Sequence, residues 1–261
     1  MQFLKEAAGI VRQYYSYLLT GVGYTMLLAL VGTVAGFCIG LLTGVVRTAP
    51  KSRNAVLRTL HSVVNALIAV YIEVFRSTPM MVQAMVIFWG FALINNGVTL
   101  NVVFAGLFIV SINTGAYMAE IVRGGIISVS KGQFEGAHAI GMTHAQTMFY
   151  VVIPQVLRNI LPSVANEFVI NIKDTSVLNV IGFTELYFVA YTINSINYQT
   201  FATYLLVAII YFVLTFTITR ILRLIEKKMD GKKNYTVQGS QNMDADSILR
   251  EQTAAGGNGN D

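Results

Sequence analysis

The sequence has few charged residues, and long parts of it have none. Only 12% of its 261 residues are charged, whereas 54% are hydrophobic; soluble domains carry about 25% charged residues. Charge is absent between Arg12 and Arg47, between Arg76 and Glu120, and between Glu185 and Arg220. Each of these stretches exceeds the roughly 20 apolar residues that a membrane-spanning helix needs. The shortage of charge excludes a water-soluble fold and predicts an all-α integral membrane protein.

Cysteine and the common cofactor motifs are also scarce. The single cysteine, Cys38, lies inside the first apolar stretch, so an intramolecular disulfide or a cysteine metal site cannot form. The histidines show no spacing to carboxylates or cysteine that would favour a metal site. No Gly-x-x-x-x-Gly-Lys-Ser/Thr loop occurs, so we do not expect the chain to bind ATP in that manner. We therefore expect no cofactor or metal in this chain, and no enzymatic activity of its own.

The basic residues fall into three segments that lie between or after the apolar stretches. The segments are Arg47, Lys51, Arg53 and Arg58; Arg123, Lys131 and Arg158; and Arg220, Arg223, Lys227 and Lys228. Because the cytoplasmic loops of membrane proteins carry an excess of Lys and Arg, we expect all three segments on the cytoplasmic side. The same distribution argues against nucleic-acid binding, since the charges do not gather on one folded face.

The basic segments and the apolar stretches together predict five membrane spans. We place them near residues 21–46, 60–95, 98–121, 159–181 and 200–224. The second is one broken span, because two separate spans there would put the first two basic segments on opposite sides. Ser77 or Thr78 is suited to cap a new helix at the break. Pro79, in the first turn of that helix, lacks an amide proton that would have no partner there.

The chain divides into a membrane domain and two flanking segments. Residues 1–17 carry three charges and lack the pattern of a removable signal peptide. Because the first basic segment is expected on the cytoplasmic side of the first span, we expect residues 1–17 to be an external amino-terminal segment. Residues 18–228 form the transmembrane domain, which includes a long connection at 123–158. Residues 229–261 turn to small and polar side chains, a composition that predicts a disordered cytoplasmic tail.

The connection between the third and fourth spans is long and strongly patterned for a passive loop. Ser130 with Gln133 and Thr143 with Gln146 fit the capping box, in which two side chains satisfy exposed backbone amides reciprocally. Gly141 lies between the two boxes, where a helix ends most easily in the left-handed conformation. This pattern predicts two short helices joined by a glycine turn.

We expect the first of these helices at residues 131–140 and the second to run to Pro154, forming a compact cytoplasmic projection. A capping box is common in ordinary proteins. On the residues of this connection alone, a surface helical hairpin without a function is therefore an equally good interpretation.

Several motifs, in this connection and elsewhere, resemble those of permeases of ATP-binding cassette (ABC) importers. EGAHAIG (residues 135–141), followed by VVIP (151–154), resembles their EAA loop: Glu-Ala-Ala, three residues, Gly, and later an aliphatic run with Pro. Gly136 stands where Ala is usual. Four further segments resemble the polar amino acid branch of the family: VFRSTPMMVQ (74–83), NTGAYMAEIVRGGI (113–126), PSVANEFVINIKDTSVLNVIG (162–182) and the last span. The resemblance covers residues 18–228.

The resemblance implies a type I ABC importer permease fold and a place in the bacterial cytoplasmic membrane. In the family, the first helix of the EAA loop docks into a groove of a cytoplasmic ATPase, which binds ATP and Mg. The coupling residues implied here are Glu135, Gly136, Ala137, Gly141 and Pro154. Five spans are too few to enclose a path, so we expect a second permease subunit, either a copy or a related chain. An extracytoplasmic substrate-binding protein is the implied source of substrate, a polar amino acid.

The predicted fourth span carries polar and charged side chains that are costly in lipid. Glu167, Asn171 and Asp174 recur at helical spacing, so we expect them on one face, which is the candidate translocation path. A carboxylate on this face would bind the ammonium group of an amino acid substrate. Lys173 or a helix end would bind the carboxylate of the substrate. Alternatively, Lys173 and Asp174 neutralise each other as a structural pair. The resemblance implies substrate binding near Lys173, Asp174, Thr175 and Ser176.

Two other kinds of protein are alternatives to an importer permease. An ion-coupled secondary transporter or channel subunit would use Glu167 and Asp174 for ion coupling, but it would leave the patterned connection without a role. An intramembrane enzyme would need a nucleophile and a base, and His61 with Ser62 or Ser77 lacks any motif for this. The first of these is the stronger alternative.

Overall fold

The computed structural model describes residues 2–50 and 54–229, and it is helical over most of this length. The α-helices are α1 Gln2–Thr48, α2 Ala55–Ser77, α3 Met80–Ile94, α4 Val102–Ser128, α5 Lys131–Ala139, α6 His144–Thr147, α7 Ile153–Asp174, α8 Leu186–Asn197 and α9 Thr200–Met229. A π-helical turn, Met148–Val152, joins α6 to α7, and a 3-10 helix, Thr175–Ile181, follows α7. Except for Met229, the predicted tail at 229–261 lies outside the described residues.

Among the described residues, five helical stretches are long and apolar enough to cross a membrane, which confirms the predicted number of spans. They are Lys5–Thr48, Ala55–Ser77, Val102–Ser128, His144–Ile181 and Thr200–Lys228. The first of these helices starts earlier than predicted. α1 begins at Gln2 and bends at Tyr14 (φ −117°, ψ 17°), so the expected external segment is helical and continuous with the first span.

α1 and α4 form the most extensive helix contact in the described part of the chain. Glycines recur at every fourth position of α1, and each faces a residue of α4 at the same spacing. The facing pairs are Gly32 with Val110, Gly36 with Thr114, Gly40 with Met118, and Gly44 with Val122. A Cβ atom on Gly36 would lie 2.7 Å from Thr114 Cβ, closer than real Cβ contacts. The glycines therefore let the two helix backbones approach closely, as small residues do in other membrane helix pairs.

The contacts between helices fix their relative directions. The glycine pairs run in the same order along both helices, so α1 and α4 are parallel. α9 is parallel to α1, since its first turns pack near Leu18 and its later turns near Thr33. The ends of α1, α4 and α9 therefore lie on one side, together with the described residues of the three basic segments. We call this the inner side and the opposite one the outer side; that the inner side is cytoplasmic stays a prediction.

The predicted break in the second span lies between α2 and α3, but no hydroxyl group caps α3. Thr78 is extended (φ −120°, ψ 145°), and Pro79 precedes the first residue of α3 without a side-chain hydrogen bond. The Thr78 hydroxyl donates instead to the Val74 carbonyl at 2.7 Å. Gln83 Nε2 donates to the Thr78 carbonyl at 2.9 Å, and its Oε1 accepts from Asn113 at 2.8 Å. The buried side chain of Gln83, rather than the predicted cap, therefore provides a hydrogen-bond partner for the Thr78 carbonyl at the break.

Candidate translocation path and coupling segment

The coupling segment, which we define as residues 130–154, follows the predicted glycine turn closely. α5 covers most of the expected first helix, and Gly141 has a positive φ of 83°. The capping box of α6 is present: Gln146 N donates to Thr143 Oγ1 at 3.3 Å, and Thr143 N donates to Gln146 Oε1 at 2.8 Å. The box predicted at Ser130 is wrong, because its side chain makes no capping bond and Gln133 N donates to the Ser130 carbonyl at 3.0 Å.

The second short helix does not stop at Pro154. α6 passes through the π-helical turn directly into α7, so the helical path runs unbroken from His144 to Asp174. Pro154 lies in the first turn of α7. A proline inside a helix removes an amide donor and crowds the preceding turn. The π turn directly before Pro154 is the local adjustment that lets the helix continue.

The coupling segment is anchored to the inner ends of the spans by an apolar cluster. Its buried members include Val122 and Val129 near the end of α4 and Met148 of the π turn, with Phe134 of α5 packed against them. Ala137 is also buried. It therefore anchors α5, whereas the other implied coupling residues are exposed: Glu135, Gly136, Gly141 and Pro154.

The exposed side of the coupling segment also carries large apolar side chains. Ile140 is 79% exposed, and Phe149 and Tyr150 are each 72% exposed. Phe149 and Tyr150 meet edge to face with ring centroids 6.0 Å apart. The exposed residues of the coupling segment therefore include both apolar groups and the carboxylate of Glu135.

The charged side chains near the end of α7 remain accessible in the chain. Lys173 and Asp174 are exposed, and Glu167 and Ser176 are half-buried. Ion pairs join Glu120 to Arg47 and Arg123, and among the described residues none includes Lys173 or Asp174. Lys173 and Asp174 therefore form no salt bridge. The backbone changes from α-helical to 3-10 geometry directly after Asp174, as is frequent at the C-terminus of an α-helix.

Asn171 was predicted on one face with Glu167 and Asp174, but it does not share their accessible surface. Its side chain is 3% exposed and lies among three helices. Asn171 Nδ2 donates to Thr33 Oγ1 of α1 at 2.9 Å, and its Oδ1 accepts from Thr114 Oγ1 of α4 at 3.2 Å. The helix does present these positions on one side, but α1 and α4 cover that side at Asn171.

Thr175 is the second predicted path residue that the structure buries. It is fully buried, and its hydroxyl donates to the Ile172 carbonyl at 3.4 Å. The accessible polar stretch, which we define as Glu167, Lys173, Asp174 and Ser176, is therefore smaller than the predicted set.

Sequence reasoning missed the link between Glu120 and Arg47, which makes Glu120 the centre of an inner-side ion cluster. Arg123, one turn away on α4, approaches Glu120 Oε2 at 2.8 Å, and Arg47 of α1 pairs with Oε1. The cluster ties the inner ends of α1 and α4 together beyond the last glycine contact. The i, i+3 spacing of Glu120 and Arg123 was the available signal.

A second missed residue is Glu185, which precedes α8 on the outer side and is fully buried. Its carboxylate accepts from the backbone amides of Tyr187 at 2.8 Å and Phe188 at 2.7 Å. It also accepts from the hydroxyl of Tyr211, on α9, at 2.9 Å. Burial raises the pKa of the Glu185 carboxyl to about 7, although these hydrogen bonds act to lower it. Its signal in the sequence was a lone charge in an otherwise neutral outer loop.

Comparison with known families gives a match over most of the chain. Residues 36–231 match the family described as the binding-protein-dependent transport system inner membrane component. The chain belongs to this family. Together with the five spans, this membership confirms the expected permease fold and the location in the bacterial cytoplasmic membrane. It also confirms that the chain is a permease component of an ABC importer.

Individual relatives resemble the chain along nearly all of their length. The glutamine transport system permease protein GlnP of Escherichia coli (strain K12) is 34% identical over 212 residues, covering 81% of this chain and 92% of that protein. The L-cystine transport system permease protein TcyB of Bacillus subtilis (strain 168) is 34% identical over 222 residues, covering 85% and 90%.

Solved structures show the same fold. A crystal structure described as an amino acid ABC transporter with histidines has a TM-score of 0.71 and 36% identity, covering 84% of this chain and 96% of that one. An inward-facing structure of the MetNI methionine ABC transporter has a TM-score of 0.63 at 22% identity, covering 82% and 98%. At that lower identity, the second likeness concerns the fold alone.

Proposed function

We propose that this permease forms part of the membrane path of an ATP-driven importer for a polar amino acid. The observation that carries the proposal is the accessible polar stretch at the end of α7, in a chain whose relatives are named for glutamine and cystine transport. An amino acid carries both an ammonium and a carboxylate group. Asp174 or Glu167 would hold the ammonium, and Lys173 would hold the carboxylate by charge-assisted hydrogen bonds.

The path requires a second permease subunit, which is either a copy of this chain or a related one. Charged side chains within a membrane are stable where they face protein or a water-filled cavity. A partner placed against the accessible polar stretch would supply the other wall of that cavity. A two-fold arrangement of the two subunits would let both contribute equivalent surfaces.

The energy would come from cytoplasmic ATPase subunits that bind ATP and Mg and contact the coupling segment. This segment suits the role because its apolar anchor joins it to α4 and α7, whereas Glu135 and Ile140 are exposed for contact. Movement of α5 would therefore reach the spans through packed side chains. On the outer side, an extracytoplasmic substrate-binding protein would deliver the amino acid.

The proposal is tested by transport into proteoliposomes that contain the permease with its co-purified ATPase and binding protein. We expect accumulation of radiolabelled L-glutamine or L-cystine to require ATP and to persist when ionophores collapse all ion gradients. Accumulation that stops with the ion gradients and ignores ATP would contradict the proposal. That result would support the ion-coupled alternative, which the family match does not favour.

Gly141→Val tests the coupling segment in the same assay. A β-branched side chain is strained at a φ of 83°, so the turn between α5 and α6 should change. We expect loss of transport and weaker recovery of the ATPase with the permease. Gly124→Val is the matched control, because this helical glycine has no neighbouring atom within 4 Å of an added Cβ. Normal transport and ATPase recovery in Gly141→Val would exclude the segment from coupling.

A further inference from the structure

Glu185 occupies an unusual position for a long acidic side chain. Helix caps favour Ser, Thr, Asp and Asn, whose short side chains reach the first amides of the helix directly. Glu185 caps α8 with both carboxylate oxygens, and one of them also accepts from Tyr211 of α9. The additional methylene group, compared with Asp, lets one carboxylate bind two structural elements.

The start of α8 is held on its other side by α1. Leu186 N donates to Thr25 Oγ1 at 3.2 Å, and Thr25 is fully buried. A Cβ atom on Gly21 would lie 3.0 Å from Leu186 Cα, so the backbone of α1 approaches α8 closely. The first turn of α8 is therefore fixed between α1 and α9, and Glu185 provides the polar tie to α9.

A short, partly buried connector, residues 177–184, joins this fixed point to the accessible polar stretch. It contains the rest of the 3-10 helix and Gly182, whose φ of 78° is a left-handed conformation that ends it. Phe183 is 1% exposed and meets Tyr24 edge to face with ring centroids 5.7 Å apart. It also fills the space beside Gly106, where a Cβ atom would lie 2.6 Å from its ring. The buried residues of the connector, Leu178, Ile181 and Phe183, therefore pack in one apolar cluster with α1, α3 and α4.

We propose that Glu185 is a positioning residue for the substrate path, acting through this connector on Lys173, Asp174 and Ser176. By tying the start of α8 to α9, the carboxylate holds the outer end of the connector in place. The connector in turn sets where the 3-10 helix begins, and with it the direction of the side chains around Asp174. The inference rests on the proposed function, because that proposal assigns Lys173, Asp174 and Ser176 to a substrate path. The link from Glu185 through the connector to these residues rests on the contacts alone.

Two variants remove the tie to α9 without removing the cap. Tyr211→Phe deletes only the hydroxyl group that donates to Glu185. Glu185→Asp keeps the charge and a favoured capping residue, but it shortens the side chain so that it no longer reaches Tyr211. Tyr191→Phe is the matched control, because this tyrosine of α8 is 57% exposed and lies away from the tie.

The first measurement is hydrogen exchange of the full permease–ATPase complex in lipid nanodiscs. We expect amides of residues 175–188 to exchange about tenfold faster in Tyr211→Phe and Glu185→Asp than in wild type and Tyr191→Phe. Amides along the contact of α1 with α4 should not change. Unchanged exchange at residues 175–181 in both variants would overturn the inference, whatever the complex transports.

The second measurement separates positioning from a general loss of folded protein. The rate of ATP hydrolysis by the same complexes is measured at increasing concentrations of L-glutamine or L-cystine. We expect both variants to raise the half-saturating concentration about tenfold, with the maximal rate per complex unchanged. A lower maximal rate with an unchanged half-saturating concentration would assign Glu185 a purely structural role and overturn the inference. Failure of both amino acids to stimulate wild type would instead count against the proposed function, and hydrogen exchange would still decide the positioning role.

Discussion

The contact of α1 with α4 and the accessible polar stretch of α7 are built in opposite ways. In the first, glycines remove side chains so that two helix backbones meet, and half of the most apolar stretch of α4 is buried inside the chain. In the second, Lys173 and Asp174 stay exposed at the point where α-helix gives way to 3-10 helix. The first region is therefore the structural scaffold, and the second is the surface that we propose binds the substrate and faces the partner subunit.

Hydropathy alone does not distinguish a helix of the scaffold from a helix that is exposed on the surface of the chain, because both are apolar. α9 is at least as apolar as α4, yet only 6% of its most apolar stretch is buried, against 50% for α4. In a membrane, lipid covers exposed apolar side chains, so burial within the chain depends on small residues and on polar contacts between helices. The following predictions test whether the two regions differ in this way.

The largest effect is expected from Gly40→Leu, which breaks the scaffold. Even the Cβ atom of the new side chain would lie 2.8 Å from the backbone nitrogen of Ala119, which cannot move aside alone. Overpacking against backbone should destabilise the fold by at least about 3 kcal/mol. The measurement is the fraction of protein that stays monodisperse in mild detergent after heating. Gly23→Leu, on the same helix with open space around it, is the control and should behave like wild type.

A smaller, functional effect is expected from Asp174→Asn in the accessible polar stretch. The substitution keeps the shape but removes the charge that would hold a substrate ammonium. A hydrogen bond to a charged group contributes about 1.5–3 kcal/mol, so amino acid affinity should fall by roughly one to two orders of magnitude. Calorimetric titration of the assembled complex measures this affinity.

Thermal stability and recovery of the ATPase should stay close to wild type in Asp174→Asn. If Asp174→Asn instead unfolds the subunit, and the double variant Lys173→Met, Asp174→Leu restores transport, then the two residues form a structural pair. That outcome would remove the distinction between scaffold and binding surface at this position.

The smallest effect is expected from Asn171→Leu, which sharpens the boundary between the two regions. Asn171 bonds to α1 and α4 but is not accessible, so we assign it to the scaffold. Hydrogen bonds between membrane helices contribute about 0.6 kcal/mol each, so thermal stability should fall slightly while amino acid affinity stays the same. Asn166→Leu, at an exposed position of the same helix, is the control for stability. A large loss of affinity in Asn171→Leu with normal stability would return Asn171 to the path.

The parts of the fold that sequence reasoning predicted correctly have local causes. The apolar stretches and the basic segments between them predicted the five spans, and the sequence around Pro79 predicted the break between α2 and α3. Gly141 was predicted in a left-handed turn because the capping box that follows requires the preceding helix to end there. Each of these features depends on a few neighbouring residues.

The parts that were missed or wrong depend on which other helix lies nearby. Helical spacing placed Asn171 beside Asp174 correctly, but it carried no information about the cover that α1 and α4 provide. The fourfold spacing of glycines in α1 was visible in the sequence, but its partner helix was not. Glu185 likewise gains its role only through Tyr211, which is distant in the chain.

The central claim, that the accessible polar stretch around Asp174 is open to water and ligand while the contact of α1 with α4 is closed, is tested most directly by cysteine labelling. In a chain with Cys38→Ser, the variants Ser176→Cys and Thr114→Cys are treated with a water-soluble methanethiosulfonate, with and without L-glutamine or L-cystine. The account predicts that Ser176→Cys reacts and that the transported amino acid slows the reaction, whereas Thr114→Cys, at a fully buried position, stays unreactive in the folded complex. Reaction at position 114 with no reaction at position 176 would contradict it.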